Sequence, residues 1–395
     1  MNKEKINHYK STLTEFDLNK KKVLLRADLN VPLQQNTILD DYRLLAILPT
    51  IDLIVKKGGQ VILATHLGRP EGVFSPKLST KILIPWFQEH GYTIEFSATF
   101  ATAKILNSPI VLLENLRFLP GEQNQDSSFA KSLASLGDFY VNDAFGLLHR
   151  NDSSITLVPH LFDAQHCTIG LLVEHELNAL DKLINPTHPF VAIVGGGKVT
   201  TKLPMLHHLI NIVDTILLCP ALVFTFLKAI GIEVGNSLVD SHALSDSLFL
   251  IKDAKNNKAQ LIFPEDYCVM LAGNEKKLIA VDATAIPPSS MGISIGPKTL
   301  IQFTQPINTA QTIFFNAAMG FANQPETMNE LRKLLELVAK SPAFTVVGGG
   351  DSVSAVRRFG LEKKINFLST GGGSTLAYLS GDVLPGLIAM QKLKT

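Results

Sequence analysis

Phe190-Val191-Ala192-Ile193-Val194-Gly195-Gly196-Gly197-Lys198-Val199-Thr200-Thr201-Lys202 is the stretch on which the fold turns. Five apolar residues read as a buried strand, the glycines as a tight turn, and the residues from Lys198 onward as the start of a helix. Two more glycine triplets follow apolar runs: Gly348, Gly349 and Gly350 lead into Asp351 and Ser352, and Gly371, Gly372 and Gly373 lead into Ser374 and Thr375. A strand that ends in glycines and turns into a helix offers backbone N–H groups and a positive helix end, which suits a polyphosphate. The chain is therefore expected to hold several phosphates.

Outward from that stretch, short apolar runs at 22–25, 61–64, 110–113 and 139–141 read as strands of a first half. Runs at 216–218, 261–263, 312–315, 344–347 and 365–368 continue the second. Between them lie segments such as 43–57 and 328–340, whose apolar residues recur every three and four positions, as in helices packed on one face. Strand and helix in alternation imply α/β architecture, a doubly wound parallel sheet in each half. A chain of 395 residues is long for one core, so two domains of about 150 to 200 residues are expected. The boundary is placed at residues 171–189, a helical stretch followed by a proline-rich break. The expected domains are then 1–170 and 190–375, with 376–395 packing back on the first.

Composition narrows the function. The formal net charge is +1 and mean hydropathy is +0.20, so no global basic field steers the chain to nucleic acid. No run approaches the ~18 apolar residues of a membrane span, and 1–10 is polar without an apolar signal core. Cys167, Cys219 and Cys268 are widely spaced and form no metal-ligand pair, as expected of thiols in a reducing compartment. A cytoplasmic protein acting on small molecules is the expectation.

In open parallel sheets, ligands sit beyond the carboxyl ends of the strands. In the first half those positions carry Arg26, Asp28 and Asn30, then His66 and Arg69, then Glu114 and Arg117, then Asn142, Asp143, His149 and Arg150, with Arg43 opening the first helix. A guanidinium matches phosphate and carboxylate oxygens bidentately, so arginines converging from several strands would bind a small, multiply charged anion. Taken singly, each could equally be a solvated surface residue. In the second half Lys198 and Lys202, four apart at a helix start, are expected to share one side and bridge two phosphates. Asp351 either caps its helix or holds Mg2+ beside a phosphate.

The motifs together resemble the phosphoglycerate kinase family over nearly the whole chain. Residues 26–32 (RADLNVP), 65–70 (THLGRP), 114–118 (ENLRF), 142–146 (NDAFG) with His149-Arg150, 195–202, 224–227 (FTFL), 295–299 (IGPKT), 348–352 and 369–373 carry the likeness in order. The resemblance implies two domains facing each other across a hinged cleft. It places the triose, 3-phosphoglycerate or 1,3-bisphosphoglycerate, on Asp28, Leu29, Asn30, Arg43, His66, Leu67, Gly68, Arg69, Arg117 and Arg150. It places Mg-bound ADP or ATP on Gly196, Gly197, Lys202, Asn316, Asn323, Gly349, Gly350, Asp351 and Ser352, with Asp351 on the metal. Catalysis would fall to Arg43, Lys198, Gly350 and Gly372, in a cytoplasmic monomer.

Departures from the family pattern gather at the adenosine end. Cys219-Pro220-Ala221 stands where a further glycine triplet is usual, Phe315-Asn316-Ala317-Ala318 where Trp-Asn-Gly-Pro is usual, and Asn323 where a ribose-binding glutamate is usual. Ser290, Ser294 and Ala377 replace a tryptophan, an aspartate and a glutamate. These changes spare the phosphate positions, so retained chemistry with reshaped base or ribose recognition is expected. A changed nucleotide preference, or a catalytically weakened binding protein of the same fold, are the alternatives.

Overall fold

The structure is a computed structural model that describes residues 11–257 and 259–391, apart from the side chains of 274–277. The expectation for residues 1–10 lies outside the described residues. By their internal contacts, the residues fall into two units. One comprises Met1–Asn178 with Val383–Thr395, the other Ala179–Asp382. The division falls inside the helix Leu171–Ile184, which therefore belongs partly to each.

The first unit is built on strands β1 (Lys22–Ala27), β4 (Gln60–Ala64), β5 (Ile94–Ser97), β6 (Ile110–Leu113), β7 (Phe139–Asp143) and β8 (Cys167–Ile169), with β2 (Leu33–Gln34) and β3 (Thr37–Ile38) forming a small antiparallel hairpin. The six lie in the order β5-β6-β4-β1-β7-β8, and every neighbouring pair is parallel. Strands covered on both faces need apolar residues throughout; β6 is buried at all four positions and β1 at five of six. The helix Tyr42–Lys56 buries Leu44, Ile47, Ile51 and Ile54, the three-and-four spacing read from the sequence. Its apolar face joins Val23, Leu25, Val61 and Leu63 in one core.

The second unit repeats the plan. Strands β9 (Phe190–Val194), β10 (Thr215–Leu218), β11 (Gln260–Ile262), β15 (Thr312–Asn316), β16 (Phe344–Val347) and β17 (Phe367–Leu368) form a sheet in the order β11-β10-β9-β15-β16-β17. All of its pairs are parallel. Between β11 and β15 the chain adds a three-stranded antiparallel sheet, β12 (Asp266–Leu271), β13 (Asn274–Asp282) and β14 (Ser290–Ile295). The sequence reading lacked this sheet and also the edge strands β5 and β8. β5 reads Ile-Glu-Phe-Ser, and its glutamate and serine break the continuous apolar run that marks a central strand.

In each sheet the chain runs outward on one side of a central strand and returns to the other, giving a switch point beside β1 in the first unit and beside β9 in the second. In open parallel sheets ligands are held at the carboxyl ends of the strands beside such points. Residues 383–391 return to the first unit, where the Gly386 N–H donates to the Leu148 carbonyl at 3.0 Å. Among the described residues, no helix is long and apolar enough to cross a membrane.

Candidate functional site

Beyond β1 in the first unit, the backbone bends at Asp28, Leu29 and Asn30. The Leu29 N–H donates to Thr65 Oγ1 at 2.9 Å, and the Asn30 side chain accepts from the Gly68 N–H at 2.8 Å. These bonds tie the ends of β1 and β4 together. Gly68 takes φ +61, and a Cβ there would meet Leu78 Cδ2 at 2.8 Å, so glycine is required. The Gly68 carbonyl accepts from Arg117 Nη1 at 2.8 Å, and the Leu67 carbonyl accepts from Asn115 Nδ2 at 2.8 Å, which binds the end of β6 to the same cluster.

Arg43, in the first turn of its helix, pairs with Asp28 at 3.0 Å and donates to the Asn30 carbonyl at 3.1 Å. Arg117 is buried in a 3-10 turn. Its burial lowers the guanidinium pKa while neighbouring Asp152 opposes that shift. Arg150 Nε donates to the Asp152 carboxylate at 3.1 and 3.2 Å. His66 sits among them, 1% exposed. Burial first, then the charges of Arg26, Arg117, Arg43 and Arg150, hold its pKa well below 6.5, so the ring is neutral at pH 7. Four guanidiniums from four parts of the chain thus act on one buried imidazole.

One position departs from the sequence reading. Arg26 lies inside β1, not beyond it, and is fully buried against Glu122 at 3.2 Å, with Ser154 Oγ at 2.7 Å; it braces the site from beneath. Arg69 is exposed, unlike its buried neighbours His66 and Leu67. Asp152 was missed, because an aspartate before Ser-Ser reads as an ordinary helix cap.

In the second unit, the end of β9 meets the end of β15. Lys202 folds back so that its ammonium donates to the Gly195 carbonyl and to the Asn316 side chain. Burial lowers its pKa to about 8, opposed by Cys219 and Asp351. Asn316 in turn donates to the Gly348 carbonyl at 2.8 Å, joining the first and second triplets. Lys198 is exposed at the N-cap of the helix Val199–Leu209. The two lysines therefore differ in setting, one turned in and one free to reach outward.

The glycine amides are not all bare. The Gly195 N–H donates to the Asn316 carbonyl at 3.0 Å, and that of Gly196 to the Pro220 carbonyl at 3.2 Å. Sequence could not show this, because the partners arrive from β15 and from the turn after β10. At the second triplet, Gly349 at φ +93 is the N-cap of the helix Gly350–Arg358, and Asp351 stands exposed in the first turn. Asp351 is therefore not the cap. A Cβ at Gly350 would find nothing within 4 Å, which marks open space at this helix end. Ser352 Oγ donates to the Ala317 carbonyl at 3.0 Å, an internal brace. Gly372, the N-cap of the helix Gly373–Leu379, takes φ +48 and is likewise open where a Cβ would stand.

At the expected adenosine end, Ala221 carries φ +67 as the N-cap of the helix Leu222–Ala229, a backbone that favours glycine. Cys219 is buried, and burial pushes its thiol up to about 12. Ser290 Oγ donates to the Pro287 carbonyl at 2.8 Å, and Ser294 Oγ lies 3.8 Å from the Met319 sulfur. Asn323 is exposed. The substituted serines have thus found internal partners.

The family model for phosphoglycerate kinase matches residues 13–382 of this chain. A phosphoglycerate kinase of Desulfosudis oleivorans is 38% identical, the alignment covering 96% of this chain and 98% of that one. A cytosolic phosphoglycerate kinase of Triticum aestivum is 40% identical over the same shares. Among solved structures, phosphoglycerate kinase from Coxiella burnetii matches with a TM-score of 0.83 at 30% identity, covering 96% of this chain and 98% of that one.

Proposed function

The chain belongs to the phosphoglycerate kinase family, and from that premise we propose that its two strand-end sites divide the substrates, triose on the first unit and nucleotide on the second. The reaction is reversible phosphoryl transfer between 1,3-bisphosphoglycerate and ADP, the ATP-forming step of glycolysis. In either direction the attacking atom is already an anion, a phosphate or carboxylate oxygen. No general base is needed, and catalysis rests on positioning and charge neutralisation.

The observation that carries the triose assignment is the gathering of four arginines at these strand ends: Arg26 on Glu122, Arg43 on Asp28, Arg117 on the Gly68 carbonyl, and Arg150 joined to Arg117 through Asp152. With Arg26 spent on Glu122, the other three are the cations for the triose's phosphate and carboxyl groups. Asp28, Asn30 and the Leu67-Gly68 backbone shape the pocket around them. Arg69, exposed beside them, completes the set. Arg43 is assigned to the reacting carboxyl.

On the second unit, Lys202 is assigned to the nucleotide phosphates, Lys198 to the transferring phosphoryl, and the amides at Gly197, Gly349, Gly350 and Gly372 to phosphate oxygens. Asn316 holds Lys202, and Asn323 is assigned to the ribose. Mg2+ is read as arriving with the nucleotide. Asp351 fits that role: it is exposed, in the first turn of a helix and not used as the cap. One carboxylate beside phosphate oxygens suffices for an ion that keeps most of its water, and among the described residues no group of three or more His, Cys, Asp or Glu could hold a resident metal. The ion would neutralise phosphate charge; orienting and screening the rest falls to the lysines and amides.

Relatives named as cytosolic support a cytoplasmic location, and we take the working form to be a monomer acting on small molecules. The test is a coupled assay with 1,3-bisphosphoglycerate, Mg2+ and a series of nucleoside diphosphates. Turnover with ADP lost in Arg117→Met through a raised triose KM supports the assignment; an unchanged triose KM contradicts it.

A further inference from the structure

Asp152 occupies the N-cap position of the short helix Ser153–Thr156, where an aspartate ordinarily turns its side chain onto the first free N–H groups. Here the side chain makes no capping bond. The Ser154 N–H donates to Glu122 Oε2 instead, at 3.0 Å, while the Ile155 and Thr156 N–H groups make the helix's ordinary backbone bonds to the carbonyl of Asp152, at 2.9 and 3.0 Å. The carboxylate, 5% exposed, is turned the other way. It accepts from Arg150 Nε at 3.1 and 3.2 Å and lies 3.5 Å from Arg117 Nη2. Its charge is also felt by His149 and by buried Glu122.

A carboxylate is withdrawn from water at a cost that only close, hydrogen-bonded cations offset. Two guanidiniums offset it here, and their mutual repulsion is relieved in return. The same two guanidiniums are those assigned to the anionic groups of the triose. A fixed negative charge between them repels an incoming phosphate or carboxylate, yet fixes the geometry that the ligand meets.

We propose that Asp152 is a positioning residue, a resident counter-anion that locks Arg117 and Arg150 into one arrangement and limits how tightly the first unit holds the triose. This rests on the assignment of those arginines to triose binding. The consequence is a split between affinity and turnover. Without the charge, the anion binds more tightly; without the lock, the bound anion is held in less productive geometry.

The test uses the full chain carrying Asp152→Ser, since serine is an equally good cap but neutral, with Asp152→Asn as a second neutral cap should the first variant fold poorly. Titration with 3-phosphoglycerate, and separately with sulfate, is expected to give a dissociation constant lower by about threefold or more. The salt dependence of binding should steepen, kcat should fall, and nucleotide KM should stay unchanged. Unchanged or weaker anion binding in the folded variants would overturn the proposal and leave Asp152 a structural residue. Wild-type protein that fails to bind 3-phosphoglycerate would instead remove the triose assignment beneath it.

Discussion

The two strand-end sites are made of different material. In the first unit the atoms proposed to meet the ligand belong to charged side chains that are already paired: Arg43 with Asp28, and Arg117 and Arg150 with Asp152. In the second they belong mainly to backbone, at Gly349 with φ +93 and Gly372 with φ +48, with Lys202 as the half-buried cation. A site of side chains stores its recognition in residue types. A site of backbone stores it in the absence of Cβ atoms. A Cβ at Gly195 would approach Cys219 Cβ to 2.7 Å, and one at Gly349 would approach Asn316 Nδ2 to 2.7 Å.

Removing the exposed cation of the second unit should have the largest effect. Lys198→Ala is expected to lower kcat by about 100-fold or more, the loss typical of one group aimed at developing charge, while the nucleotide dissociation constant changes little. Stopped-flow single turnovers and nucleotide titration separate the two; equal losses in both would contradict the assignment. On the other side of the comparison, Arg43→Ala should raise the triose KM by about tenfold or more and leave nucleotide KM in place. A matching rise in nucleotide KM would show that the two sites are not separate in function.

The pH response should also divide. Lys202 has a pKa of about 8 because burial disfavours its charge, and a bound polyphosphate favours the charged form. Nucleotide affinity should therefore fall as pH rises past about 8, by up to about tenfold per pH unit until the pKa of the complex is reached. Triose affinity should show no such inflection, since Lys202 is not among the groups assigned to the triose. Lys202→Met should abolish the inflection in a nucleotide titration run from pH 6.5 to 9.5; its persistence would assign the proton elsewhere. The same depressed value makes Lys202 a folding cost below pH 8, one that fades as pH rises from 8 toward the unfolded value near 10.5.

The smallest expected effect lies at the strained turn. Ala221→Gly removes a left-handed alanine worth about 1 kcal/mol and should raise the melting temperature by about 1 to 4 °C, with triose KM unchanged. A lowered melting temperature would mean that Ala221 packing outweighs its backbone strain.

The contrast also explains what could be read from the chain beforehand. The arginines, His66 and the Asp28-Asn30 bend were legible because their chemistry lies in residue type and their place follows from the strand ends. The buried role of Arg26 was not, because a strand's last residues and the first beyond it look alike in sequence. Asp152 was hidden by its resemblance to a cap. The occupied amides of Gly195 and Gly196 were hidden because their partners lie more than twenty residues away in the chain. Both parallel sheets were visible as continuous apolar runs. The antiparallel sheet of β12, β13 and β14 was not, because polar residues and glycine interrupt its apolar runs: β12 reads Asp-Tyr-Cys-Val-Met-Leu and β14 Ser-Met-Gly-Ile-Ser-Ile.

Hydrogen exchange on the full chain, with 3-phosphoglycerate alone and then with MgADP alone, tests the division of substrates most directly. The triose should protect the segments around 28–30, 66–69, 117 and 150, and MgADP those around 195–202, 316, 349–352 and 371–374. Protection of the glycine triplets by 3-phosphoglycerate with the arginine cluster left unprotected would contradict the account.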